Sequence, residues 1–290
     1  MTPARLSSTI SLVFLAFLTA CGGAAPRAET PTPTRDPLLG TFLDAEDRVV
    51  PLPEVLARLE AARVVYLGET HDDPANHALQ AALVEALYAR DPSLGLGLEM
   101  VQRPFQPVLD EYVAGSLDET QLLSRLGWDE RWGYDFAFYR PFFDLARAHR
   151  LPLRALNARS ELTRRIGREG LDALTPEERA ELPETDTTDA EHRAMVMAML
   201  GDHPGLDDTK RERFYAAQLV WDETMAEEVA RTLAAPDAPR HFVVLAGTGH
   251  VARGLGIPKR AARRGATPFI VVLPADACDS PADADLRWRP

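Results

Sequence analysis

Four residues in this chain have the types and the placement to move protons or hold a metal: Glu69, His71, Glu99 and His250. Each stands at or just after the end of a short apolar run. Val64-Val65-Tyr66-Leu67 leads to Gly68-Glu69-Thr70-His71, Leu94-Gly95-Leu96-Gly97-Leu98 leads to Glu99, and His241-Phe242-Val243-Val244-Leu245-Ala246 leads to Gly247-Thr248-Gly249-His250. Two of these ends share the pattern Gly-x-x-His. A fourth run, Leu151 to Leu156, stops at Asn157. Two imidazoles and two carboxylates make either a divalent-metal site or a general acid–base set, while the same histidines in a purely structural role would cap helices or bond loop backbone.

The elements that must position these groups follow from the same runs. Short β-branched runs bounded by glycine and polar residues read as buried strands, and Pro268 to Leu273 is a fifth. Gly68 suits a tight turn, Asp72 or Asp73 a helix cap and Pro74 a first helical turn, after which Ala75, Leu79, Ala82, Leu83, Ala86 and Leu87 keep helical spacing. Further helices are expected over 52–59, 102–113, 117–126 and 141–149, over 160–200 with a break near Leu182-Pro183, and over 210–233. Strands alternate with helices, so the expected class is α/β, with a mainly parallel sheet flanked by helices and a smaller helical cap within 101–225. Parallel strands would bring all the polar ends to one edge, where open α/β sheets bind ligands. A hairpin is expected over 42–50, and 276–290 is set apart as a C-terminal tail.

Residues 128–143 hold eight aromatics: Trp128, Trp132, Tyr134, Phe136, Phe138, Tyr139, Phe142 and Phe143. They serve either as the core of the cap or as a wall for a flat apolar ligand. Tyrosine can also bind ferric haem iron, with Tyr134, Tyr139 and Tyr215 as candidates. Met195, Met197 and Met199 would line such a pocket or fill gaps. His77 reads as structural or exposed, and His149, His192, His203 and His241 sit in ordinary polar company.

Hydrophobic residues at 46% and charged residues at 26% fit a globular protein, and the net charge of −12 argues against a nucleic-acid partner. Gly95-Leu96-Gly97 lacks the third glycine of a dinucleotide turn. At the amino end, Arg5, an apolar run from Ile10 to Leu18 and Leu18-Thr19-Ala20-Cys21 make a bacterial lipoprotein signal. The expected division is a signal peptide over 1–20, lipidation at Cys21, a Pro/Thr-rich tether over 21–37 and a domain over 38–275. With Cys21 lipidated, Cys278 has no disulfide partner. The expected location is the cell envelope, lipid-anchored, at the outer membrane.

Several motifs, taken in order, resemble the ChaN-like haem-binding lipoproteins. They are Gly68-Glu69-Thr70-His71, Leu98-Glu99-Met100, Trp132-Gly133-Tyr134-Asp135, Tyr139-Arg140-Pro141, Leu156-Asn157-Ala158, Gln218-x-x-Trp221-Asp222-x-x-Met225-Ala226 and Leu245-Ala246-Gly247-Thr248-Gly249-His250-Val251. The resemblance spans residues 38–275. It implies an α/β domain, binding of ferric haem in iron acquisition, a homodimer holding haem at its interface and a tyrosine as iron ligand. Tyr139 is placed first and Tyr134 second, with Arg140 or Arg131 for the haem propionates. The chain also resembles, more distantly, the Tiki/TraB and erythromycin-esterase groups, in which Gly-x-x-His motifs and acidic residues belong to a proposed hydrolytic site. That gives the alternative expectation of a hydrolase using Glu69, His71, Glu99 and His250, with or without a divalent metal.

Overall fold

The computed structural model describes residues 38, 40–201 and 205–290. The signal over 1–20, Cys21, the tether over 21–37 and His203 lie outside the described residues.

The sheet has eight strands: β1 (Thr41–Leu43), β2 (Val49–Val50), β3 (Val64–Glu69), β4 (Leu94–Gln102), β5 (Leu153–Asn157), β6 (His241–Gly247), β7 (Phe269–Pro274) and β8 (Leu286–Arg289). Their order is β2-β1-β8-β7-β3-β6-β4-β5. The pairs from β8 through to β5 are parallel, and β1 and β2 close one edge antiparallel. The sheet is therefore mainly parallel, as the alternation of strands and helices requires. β3 lies between β7 and β6, and β6 lies between β3 and β4, so the ends of β3, β6 and β4 stand side by side.

Strand alternation divides the core in two. Val65 and Leu67 of β3, with Leu96, Leu98, Val243, Leu245 and Val272, belong to one apolar cluster. It includes residues of α1 (Leu52–Ala61), α2 (Pro74–Arg90), α3 (Gln106–Val113), α4 (Glu119–Leu126), α5 (Trp128–Arg131) and α6 (Arg140–His149). Val64 and Tyr66 face the other way with Phe242, Val244 and Val271, against α10 (Asp208–Ala234) and α12 (Ile257–Arg263). On that side α7 (Ser160–Glu169) packs on α10 through Leu162, Ile166, Ala217 and Val220, and α9 (Ala190–Leu200) packs on it through Met195, Val196, Tyr215 and Leu219. Between α7 and α9 lies the short α8 (Pro176–Ala180), and α11 (Thr248–Val251) follows β6 directly. The helical stretch 101–225 thus contributes helices to both outer layers, and its aromatic part is continuous with the core beneath α2.

Three local differences from the sequence reading have physical causes. Gly68 lies inside β3, paired with Ala246, and is not a turn; a Cβ there would collide with the Leu273 side chain, so glycine serves close approach. β4 does not stop at Glu99 but continues to Gln102, with an irregularity between Leu98 and Gln102 in its pairing with β5. Asn157 fills the gap, its side-chain amide donating to the carbonyl of Glu99 at 2.9 Å. The segment set apart as a tail contains β8, which joins the sheet: Leu286 and Trp288 are buried and pair with β7 and β1. Only four residues long and half arginine, β8 carries too little apolar pattern to be read as a strand.

Candidate functional site

The strand ends deliver the expected side chains to one place. Glu69 ends β3, and Thr70 to Asp73 turn into α2, where Asp73 caps the helix by accepting from the Ala75 N–H at 2.8 Å and Pro74 opens it. His71 rides on that turn, its Nδ1 2.9 Å from Glu69 Oε1. Gly247 ends β6, and its N–H donates to Glu99 Oε2 at 2.6 Å. His250 sits on the one-turn α11, with Nε2 3.3 Å from Glu99 Oε1 and Nδ1 2.6 Å from Asp222 Oδ1. A Cβ on Gly247 would lie 2.8 Å from His71 Cε1 and 3.6 Å from Glu99 Oε2. Glu69, His71, Glu99 and His250 therefore converge at the carboxyl edge of β3, β6 and β4. Asn157 does not join them; its side chain braces β4.

Burial shapes the charges here. Glu69 and Glu99 are 2% and 5% exposed, whereas the His71 side chain keeps 22% of its surface and so marks the mouth. Burial alone would push the Glu99 carboxyl up. The His250 imidazolium outweighs it by charge and hydrogen bond, helped by His71 and the Gly247 N–H, and holds Glu99 down at about 2. Burial pulls His250 down, but the carboxylates of Glu99 and Asp222 on its two sides raise it well above the ordinary imidazole value. Burial likewise opposes protonation of His71, and the bond to Glu69 with the charge of Glu99 overcomes it. The crevice thus holds two imidazoles biased toward their charged form, each with its own carboxylate.

Beside the mouth stand the aromatics. Trp132 and Tyr134 pack on His71 with ring centroids 4.7 and 5.1 Å away. Both are half-buried. Tyr139 differs: it is 0% exposed and its O–H donates to Glu69 Oε1 at 2.7 Å. Burial first, then the Glu69 carboxylate, push its phenol far above the ordinary value. Tyr139 has no face open to a ligand as placed. Tyr215 is buried on the other side of the sheet, against His192. Arg140 makes two bonds of 2.8 Å to Glu119, and Arg131 is shared among Gln102, Ser160 and Glu161. Met199 is exposed, and its methyl group would be 2.7 Å from a Cβ on Gly249.

Of the histidines outside the four expected site residues, His77, read as structural or exposed, and His192, read as ordinary, differ in outcome. His77 is structural: its Nε2 meets the His71 carbonyl at 3.0 Å and its ring stacks on Phe138 at 4.7 Å. His192 belongs to the site's support, fully buried with Nε2 2.8 Å from Asp222 Oδ2. Asp222 and Gln218, both on α10, reach His250. Their spacing of four on one helix face was the available signal. For His192, in a helix far along the chain, none existed.

Among the described residues no group of three His, Cys, Asp or Glu side chains is arranged to hold a metal ion. For the divalent-metal expectation, Glu69 Oε1 is engaged by Tyr139 and His71, Glu99 Oε2 by Gly247 and His250 Nδ1 by Asp222, while Glu69 Oε2 has no hydrogen-bond partner.

The protein is of the α/β class, with a mainly parallel sheet whose carboxyl edge carries imidazole–carboxylate pairs overhung by aromatic side chains, the place where open α/β sheets bind ligands. The chain matches the family model described as haem-binding uptake, Tiki superfamily, ChaN over residues 55–261, and it belongs to that family. Among solved structures it is similar to ChaN of Campylobacter jejuni, described with cofacial haem binding, at 18% identity and a TM-score of 0.69, covering 87% of this chain and 97% of that one. Weaker likenesses include an erythromycin esterase mutant in its open conformation, at 15% identity and a TM-score of 0.48, covering 86% of this chain and 83% of that one. Only the first of these two bears on the fold. No curated protein matches the chain.

Proposed function

We propose that this protein is a haem-binding lipoprotein of the bacterial cell envelope, anchored through lipid on Cys21 at the outer membrane and serving haem or iron acquisition. Membership of the haem-uptake family over residues 55–261 carries the reading. The rim of the crevice fits the ligand. Haem needs an iron ligand, apolar walls and cations for its propionates. Tyr134, half-buried at the mouth, is the phenol that meets these needs, in place of Tyr139, whose hydroxyl is sealed and committed to Glu69. Trp132 supplies a wall. Arg131, hydrogen-bonded to Gln102, Ser160 and Glu161, and Arg140, bonded twice to Glu119, are the cations on offer for the propionates.

Bound haem supplies a ferric centre able to take a phenolate. Burial, and then the carboxylates of Asp72, Glu99 and Glu69, raise the Tyr134 phenol, so in the haem-free protein it keeps its proton. The cavity beneath Trp132 and Arg131 has a volume of about 10 Å³, room for no more than a water, so that cavity would not itself take haem. In this reading a second copy of the chain would cover the other face of the haem, as the family resemblance implies. Haem titration of the full chain, with Tyr134→Phe and Tyr139→Phe beside it, tests the reading: Tyr134→Phe abolishes the high-spin ferric spectrum and Tyr139→Phe retains it.

A second reading is acid–base hydrolysis. It is favoured by His250 standing between Asp222 and Glu99 with His71 alongside. In that reading His250 is the proton donor and His71, oriented by Glu69, the partner at the mouth. Turnover of a panel of esters and amides, abolished in His250→Gln, would establish it; no turnover in the unaltered chain would remove it.

A further inference from the structure

Behind Asp222 lie two buried polar groups, Arg260 and His192, that neither reading uses. Arg260, on α12, is 2% exposed. Its Nη1 donates to the Leu255 carbonyl at 2.6 Å, its Nε lies 3.3 Å from Glu223 Oε1, and its Nη2 lies 3.0 Å from Nδ1 of His192. A guanidinium has donors only. Nδ1 of His192 must therefore accept, and the ring proton sits on Nε2, 2.8 Å from Asp222 Oδ2. The other oxygen of Asp222 faces Nδ1 of His250 at 2.6 Å. Asp222 is 0% exposed, so the two imidazole N–H groups satisfy it where water does not reach.

Around His250, Gln218 sets its amide nitrogen 2.9 Å from the same Nδ1. Since Nδ1 gives its proton to Asp222, the amide belongs with its oxygen toward the ring. Glu99 faces Nε2 from β4, His71 adds its charge from the neighbouring turn, and the Trp221 ring stands edge-on at 6.2 Å.

We propose that Arg260 and His192 are positioning residues that act through Asp222, keeping the Nδ1 proton on His250 and leaving Nε2 as the nitrogen presented to the crevice. Each link has one allowed direction, starting from a cation that cannot accept. The inference concerns the haem-free protein and stands apart from haem capture.

Long-range 1H–15N correlation of the full chain carrying 15N-histidine, without haem, tests it. In the unaltered chain the ring proton of His192 is expected on Nε2, and His250 keeps its Nδ1 proton. Arg260→Gln removes the cation from His192 Nδ1. The His192 proton is then no longer confined to Nε2, Asp222 is held less firmly, and the His250 Nδ1 resonance shifts. Arg263→Gln, which touches the same Glu223 but not His192, leaves His250 in place. A His192 proton on Nδ1 in the unaltered chain would overturn the proposal without any variant. So would equal responses of His250 to Arg260→Gln and Arg263→Gln.

Discussion

The hydroxyl of Tyr139 donates to Oε1 of Glu69 at 2.7 Å, and both side chains are shut off from solvent. The same oxygen meets Nδ1 of His71 at 2.9 Å, so the phenol helps to hold the carboxylate that orients the mouth histidine. Tyr139→Phe removes one donor from a buried carboxylate and leaves its ring packing in place. The expected loss of stability is about 1.5–3 kcal/mol, the range for a hydrogen bond to a charged group, read from urea unfolding. Haem binding in the same variant should persist.

The Glu99–His250 pair links stability to pH in two directions. Glu99 sits at about 2 when folded against an ordinary 4.5, so its contribution is present above 4.5 and lost as pH falls toward 2. His250 is raised above 6.5, so its contribution is complete below 6.5 and lost as pH rises through its folded value. The pair is therefore at full strength from 4.5 to 6.5. Melting temperatures measured across pH should fall more steeply below pH 4.5 in the unaltered protein than in Glu99→Gln. Parallel acid limbs would show that Glu99 is not held as described.

Gly247 keeps the crevice closed by having no side chain. Its φ is −57°, so any residue could adopt the backbone, and space alone forbids one. In Gly247→Ala the methyl would press on the His71 ring at 2.8 Å. The expected cost is about 1–3 kcal/mol, as for overpacked sites, with an altered His71 resonance by NMR. An unchanged His71 signal with unchanged stability would contradict the close approach.

What could be read from the sequence, and what could not, follows from how local each signal is. Glu69, Glu99 and His250 were legible because each ends an apolar run, and parallel strands carry such ends to one edge. The continuation of β4 past Glu99 was not, because an irregular strand satisfied by the Asn157 side chain leaves no periodic trace. Tyr134 and Tyr139 are indistinguishable by type, and five positions apart they differ only in which packs inward. His192 has polar neighbours in sequence, and its burial arises from α9 lying on α10. Long-range packing decided these cases, and no short window of sequence contains it.

The proposed lipid anchor depends on Cys21, before the described domain. Cys21→Ser should move the protein from the membrane fraction to the soluble fraction of the envelope, since stable attachment needs the acyl chains. Continued sedimentation with membranes would place the anchor elsewhere.

The central claim is haem capture at the aromatic rim, and haem titration of the full chain followed by visible absorption tests it most directly. A high-spin ferric spectrum that saturates in the unaltered protein and vanishes in Tyr134→Phe is the predicted result. No spectral change in the unaltered protein, at concentrations that permit dimerisation, would contradict it.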